Sequence, residues 1–189
     1  MKLEFLARVA VSALVAAALA TPALARELSG VSMPDAMTVG EKTVKLNGMG
    51  VRKKAIFKVY VAGLYLEAPS KDAATILSAD STRLIRMQYV RSVDKAKVAE
   101  TFQEGFENNA KDLAAKQKGS IDRMIAALPD LKDGQTMSFA YVPGKGTTLS
   151  CEGKDLFSAD GKEFADAVFL LWLGPKPPSE DLKKGLLGD

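Results

Sequence analysis

The sequence predicts an α+β fold in which a layer of helices covers one side of a large, mostly antiparallel sheet. Three observations predict it. Residues 28–67 carry short alternating apolar segments broken by glycines, as strands do. Residues 93–109 and 160–174 carry apolar side chains at helical spacing. A hairpin pattern over 136–152 returns the chain to the sheet between those helices.

Taken in order, the chain opens on a stretch that reads as an export leader. Residues 1–25 hold 19 apolar side chains, with Lys2 and Arg8 flanking a short basic region and an apolar stretch from Ala10 to Ala20. Ala23-Leu24-Ala25 supplies the small residues that a signal peptidase requires, so cleavage is expected after Ala25, leaving residues 26–189 as one domain. The stretch falls short of the ~20 residues a membrane-spanning helix needs. No cysteine follows the cleavage site, so lipoprotein anchoring is not expected. The expectation is a soluble, periplasmic protein with no membrane span after cleavage.

Val31–Met33 and Met37–Val39 read as short strands, with Gly40-Glu41 turning into a third at Lys42–Leu46. Asn47-Gly48 reads as another turn, and residues 53–67 as the longest strand. In it Ala55, Phe57, Val59, Val61, Gly63 and Tyr65 form the expected core face. Arg52, Tyr60 and Leu64 point the other way. Lys71–Ser78 reads as a helix and Arg83–Val90 as a strand. Ser92 is the expected N-cap of a helix from Val93 to Asn109, with Asp94 in its first turn and Val98, Phe102 and Phe106 on its buried stripe. A further helix runs from Leu113 or Ser120 to Leu128. Thr136–Val142 and Thr147–Glu152 pair across Pro143-Gly144-Lys145-Gly146. Asp160 and Glu163 read as a capping-box variant opening a helix that Gly174 and Pro175 close, and Ser179 caps a last one.

Composition narrows the chemistry. There are 26 basic and 23 acidic residues, mixed in sign along the chain. That balance does not argue for nucleic acid or an anionic membrane surface as partner. There is no histidine, which excludes a Ser-His-Asp triad, a histidine base and histidine-bound metals. The single cysteine, Cys151, permits neither an internal disulfide nor a CxxC motif and reads as a small buried hydrophobe. No cofactor and no metal site are expected. Gly48-Met49-Gly50 lacks the third glycine and the following helix of a dinucleotide site, and Gly144–Thr148 reads as a turn rather than a phosphate loop. The carboxylate pairs Glu104/Glu107 and Asp130/Asp133 read as solvated faces. Arg52 shares a parity with Lys54, Lys58, Tyr60 and Leu64. On the residues alone it reads first as a surface arginine beside Lys53 and Lys54, and alternatively as a guanidinium in an apolar and aromatic surround, the setting that holds a carboxylate or phenolate.

Residues 46–67, and above all Lys58-Val-Tyr-Val-Ala-Gly-Leu-Tyr-Leu-Glu67, resemble the signature stretch of the chalcone isomerase-like family. Val93–Asn109 is similar to the family's site helix, and Gly161–Gly174 with Leu182–Gly188 to its C-terminal helices. The likeness is nearer to the exported bacterial branch than to the plant enzymes. It implies an open-faced β-sandwich with a ligand cleft between the sheet and its helical cover. Arg52 matches the arginine that organises charge in the plant isomerases and meets the carboxylate in the noncatalytic, fatty-acid-binding branch. Tyr60 matches a threonine of the enzymes and is the expected second carboxylate partner. The site helix of the enzymes carries a Tyr and, seven residues on, an Asn; the matching positions are Asp94 and Thr101. The late-helix Ser or Thr falls at Ala165, and the Arg52–Lys58 segment is shorter by about four residues.

The resemblance therefore implies a noncatalytic binding protein for a small amphipathic acid, with Arg52, Tyr60, Asp94 and Thr101 as ligand-binding residues and no catalytic residue. The alternatives are an intramolecular lyase acting on a phenolic enone, with Arg52 as its catalytic residue, and an interaction protein.

Overall fold

The computed structural model describes residues 25–189. The expected leader lies, apart from Ala25, outside the described residues. β1 (Ala25–Leu28) and β2 (Val31–Pro34) form a two-stranded ribbon. Then β3 (Ala36–Val39), β4 (Lys42–Lys54), β5 (Phe57–Leu66), β6 (Arg83–Tyr89), β7 (Thr136–Val142), β8 (Gly146–Cys151) and β9 (Lys154–Ala159) pair in chain order, every neighbour antiparallel. Helices α1 (Ala73–Ser78), α2 (Lys95–Asn109), α3 (Lys111–Lys116), α4 (Lys118–Ala127), α5 (Lys162–Leu173) and α6 (Glu180–Leu186) complete the fold. No helix among the described residues is long and apolar enough to cross a membrane.

The helices lie on one face of the sheet. Tyr60, Ala62, Leu64, Ile85, Met87 and Phe139 there meet Val98, Phe102 and Phe106 of α2 and Phe164, Val168 and Leu171 of α5 in the main core. The opposite face has its own smaller core, in which Val44, Leu46, Val61, Tyr65 and Leu84 meet Val31 and Met33 of the ribbon. The main core thus lies under the parity opposite to the expected one. Alternation reveals that a strand has two faces; which face receives the thicker cover depends on elements far away in sequence.

Other local expectations are corrected. The strand over 53–67 is two strands, because the chain turns at Ala55-Ile56, where Lys54 pairs with Phe57. Asn47-Gly48 is not a turn but an irregularity inside β4, with the register shifting between Leu46 and Gly48. The Asn47 amide donates to the carbonyls of Ser70 (3.0 Å) and Leu186 (2.9 Å), and its oxygen accepts from the Ser70 N–H (2.8 Å). The residue therefore ties α6 to the sheet. Ser92 does not cap α2: Asp94 holds the cap position without a side-chain bond, and Asp130 accepts from the Lys95 N–H at 2.7 Å. Asp130 is thus a cap supplied from another segment. Gly161, left-handed at φ 90°, holds the cap position of α5, so the Asp160/Glu163 capping box does not form. Ser179 does cap α6, accepting from the Leu182 N–H. The helix expected before Leu128 is two, α3 and α4, and β9 was not expected.

Candidate functional site

A cavity of about 360 Å³ opens between the β4–β6 part of the sheet, the N-terminal half of α2 and the end of α5. That volume lies at the small end of the range for small-molecule sites. Arg52, Tyr60 and Tyr89 are direct cross-strand partners on β4, β5 and β6, which places their side chains in one row on the face toward the cavity. The Tyr60 and Tyr89 rings lie 5.4 Å apart. Met87, Val98, Phe102, Leu171 and Trp172 supply the apolar walls. Trp172 packs edge-on against Phe102 at 5.9 Å.

Polarity is arranged at one end of this row. The Trp172 indole N–H donates to the Tyr60 hydroxyl at 3.1 Å. Indole can only donate, so Tyr60 must accept there, and its own proton is left for a partner in the cavity. Burial pushes the Tyr60 phenol up to about 12, partly opposed by the Trp172 bond and the Arg52 charge, so it is a neutral donor at physiological pH. Burial raises Tyr89 as well, reinforced by Tyr60 and Cys151. Arg52 is half-buried and donates to the Lys53 carbonyl, which fixes the guanidinium at the cavity edge. Four basic side chains (Arg52, Lys54, Arg91, Lys97) and two acidic ones (Asp94, Glu104) line the cavity, a balance that favours an anion.

All four residues singled out in the sequence line this one cavity. Arg52 and Tyr60 are brought together as neighbours. Asp94 is exposed at the rim, where α2 begins. The Thr101 hydroxyl donates to the Lys97 carbonyl at 2.9 Å, so it is left only as an acceptor and offers nothing to a carboxylate. Ala165 is fully buried in the main core rather than on the cavity. Sequence reasoning missed Tyr89, Arg91, Lys97 and Trp172. Trp172 carried a signal, being the only tryptophan of the chain, on a helix that is mostly apolar. Tyr89 became visible only through its register opposite Tyr60. Cys151 is partly buried against the main core, and burial and Glu152 push its thiol up, away from reactivity. No group of three or more potential metal-ligating side chains occurs among the described residues.

The tyrosines make a pH prediction. All four (Tyr60, Tyr65, Tyr89 and Tyr141) are raised above their ordinary value of 10.0, chiefly by burial. A phenol harder to ionise when folded contributes stability that is complete below pH 10 and is lost as pH climbs towards 12. Tyrosinate absorbance of the native protein is expected to stay flat through pH 10 and to rise only together with loss of the fold. A quarter of the full signal appearing near pH 10 with the fold intact would show one ring to be solvated.

A family model described as chalcone isomerase-like matches residues 25–188. The crystal structure of a fatty-acid binding protein from Arabidopsis thaliana superposes with a TM-score of 0.69 at 19% identity, covering 87% of this chain and 96% of that one. No curated protein sequence matches.

Proposed function

Because this chain belongs to the chalcone isomerase-like family, we propose that it binds a fatty-acid-like carboxylate in the cavity between sheet and helices, as a noncatalytic protein exported to the periplasm. The arrangement of Arg52 and Tyr60 carries this reading: a cation and a neutral hydroxyl, its proton freed by Trp172, side by side at the edge of an apolar cavity. The carboxylate takes the Arg52 guanidinium and the Tyr60 hydroxyl. The tail lies along Met87, Val98, Phe102 and Leu171. Each buried methylene adds about 0.8 kcal/mol, so the chain dominates affinity while Arg52 sets the direction of entry. The family membership and the name of the Arabidopsis protein support the ligand class, and the apolar stretch ending at Ala23-Leu24-Ala25 supports export.

Trp172 is the only tryptophan and lines the cavity, so its fluorescence reports occupancy. Titration with a medium-chain fatty acid is expected to shift its emission. Arg52→Ala is expected to weaken acid binding by about 1.5 kcal/mol, roughly tenfold, the lower end for a charged hydrogen bond because Arg52 is only half-buried. The matching alcohol should bind wild type and variant alike. If the alcohol loses as much as the acid, Arg52 does not hold the head group. Mass spectrometry of the periplasmic fraction tests export by finding, or failing to find, a chain that starts at Arg26.

A further inference from the structure

The hairpin that carries Arg52 ends in a tip that a protein surrounded only by water has no reason to build. Ile56 is 86% exposed and Phe57 54%, the only large hydrophobic residues so exposed among the described residues. Scattered apolar side chains are ordinary; two adjacent ones on a protruding turn are less so. The turn itself is held at a cost. Ala55 takes φ 53°, a left-handed value that hairpin turns normally give to glycine or asparagine. Immediately behind the tip, Lys53 and Lys58 stand directly opposite each other across the two strands. Like charges so placed repel, and neither lysine has an ion-pair partner among the described residues. The Arg91 guanidinium lies over the Phe57 ring at 4.7 Å and adds a third cation.

We propose that the β4–β5 tip docks the protein on an anionic phospholipid bilayer, with Ile56 and Phe57 entering the headgroup boundary and Lys53, Lys58 and Arg91 meeting lipid phosphates. Apolar residues ringed by basic ones are the pattern that binds anionic interfaces, and anionic phosphates remove the Lys53–Lys58 repulsion. Charge complementarity selects this occupant over a second copy of the chain, whose tip would bring the same cations together. Near balance of charge over the whole chain does not bear on the matter, because the cations are concentrated at one point. Phe57 and Arg91 also line the cavity, so docking would place its opening at the lipid surface. Docking rests on the hairpin and Arg91 and is independent of what the cavity holds.

The test is co-sedimentation with vesicles of equimolar phosphatidylglycerol and phosphatidylcholine, against vesicles of phosphatidylcholine alone, without added fatty acid. Binding to the anionic vesicles is expected to be at least about tenfold tighter and to weaken with salt. Lys53→Gln with Lys58→Gln should reduce it about thirtyfold and Ile56→Ser about fivefold, with melting temperatures no lower than that of the wild type. These three side chains are outside the cavity lining, so fatty-acid titration of the same variants reads the cavity separately. Equal binding to both vesicle types, no binding to either, or a stable dimer that Ile56→Ser dissociates would each overturn the proposal.

Discussion

Asp166→Ala is expected to lower the free energy of unfolding by about 3–5 kcal/mol, the cost of leaving a buried charge without its partner. The charge is Arg83, which has no exposed surface and lies at the start of β6 beneath α5. Its guanidinium donates to Asp166 at 2.5 Å and to the Ile76 carbonyl at 2.9 Å, and lies over the rings of Phe169 (4.8 Å) and Tyr141 (5.1 Å). Lys162 donates to the same carboxylate at 2.7 Å. Asp166 therefore neutralises two cations and pins α5 to β6 and α1. Denaturant titration measures the loss. Arg83→Met combined with Asp166→Ala should recover much of it, because an apolar pair in place of a buried ion pair is often neutral. If Asp166→Ala alone costs under about 1 kcal/mol, the pair does not secure α5. The consequence reaches the cavity, since α5 carries Leu171 and Trp172 into its wall.

Gly48→Ala and Gly185→Ala are each expected to cost about 3 kcal/mol, at the upper end for overpacking. A methyl on Gly48 would lie 2.1 Å from the Gly185 carbonyl oxygen, and one on Gly185 would lie 2.3 Å from that of Met49. Both obstacles are backbone, which cannot turn aside as a side chain can. Neither residue has a left-handed φ, so the contact alone decides. For Gly185, inside α6, helix propensity favours alanine by up to about 1 kcal/mol, and the clash outweighs it. Gly119→Ala in α4 is the control, because nothing lies within 4 Å of its added methyl; it should be neutral or slightly stabilising. A harmless Gly48→Ala would mean that α6 does not rest against β4 as closely as described.

That packing explains why Gly48-Met49-Gly50 was hard to read. Two glycines with one residue between them suggest a phosphate turn or a weak strand, and the feature that requires them, α6, lies some 135 residues away in sequence. Arg83 was equally opaque. An arginine in a strand reads as a surface residue until Asp166 and two aromatic rings are seen around it. Arg52 and Tyr60 were legible through a shared parity and the likeness of residues 46–67 to the family stretch. That they face each other across a hairpin was not, because the one strand expected over 53–67 is two. The Trp172 bond that leaves Tyr60 as a donor spans 112 residues and has no sequence signal.

The sequence by itself determined the strand and helix types of most segments, the late hairpin and the chemistry excluded by the lack of histidine. Those properties live in periodicity, turn residues and composition, which neighbouring residues express without help. Tertiary structure alone decided which sheet face lies under the helices, where α2 takes its cap, which of two arginines is paired inside the core and which borders a cavity. Each of those outcomes depends on contacts between segments far apart in the chain. A side chain's burial and partners are properties of what folds against it, and no local pattern contains them.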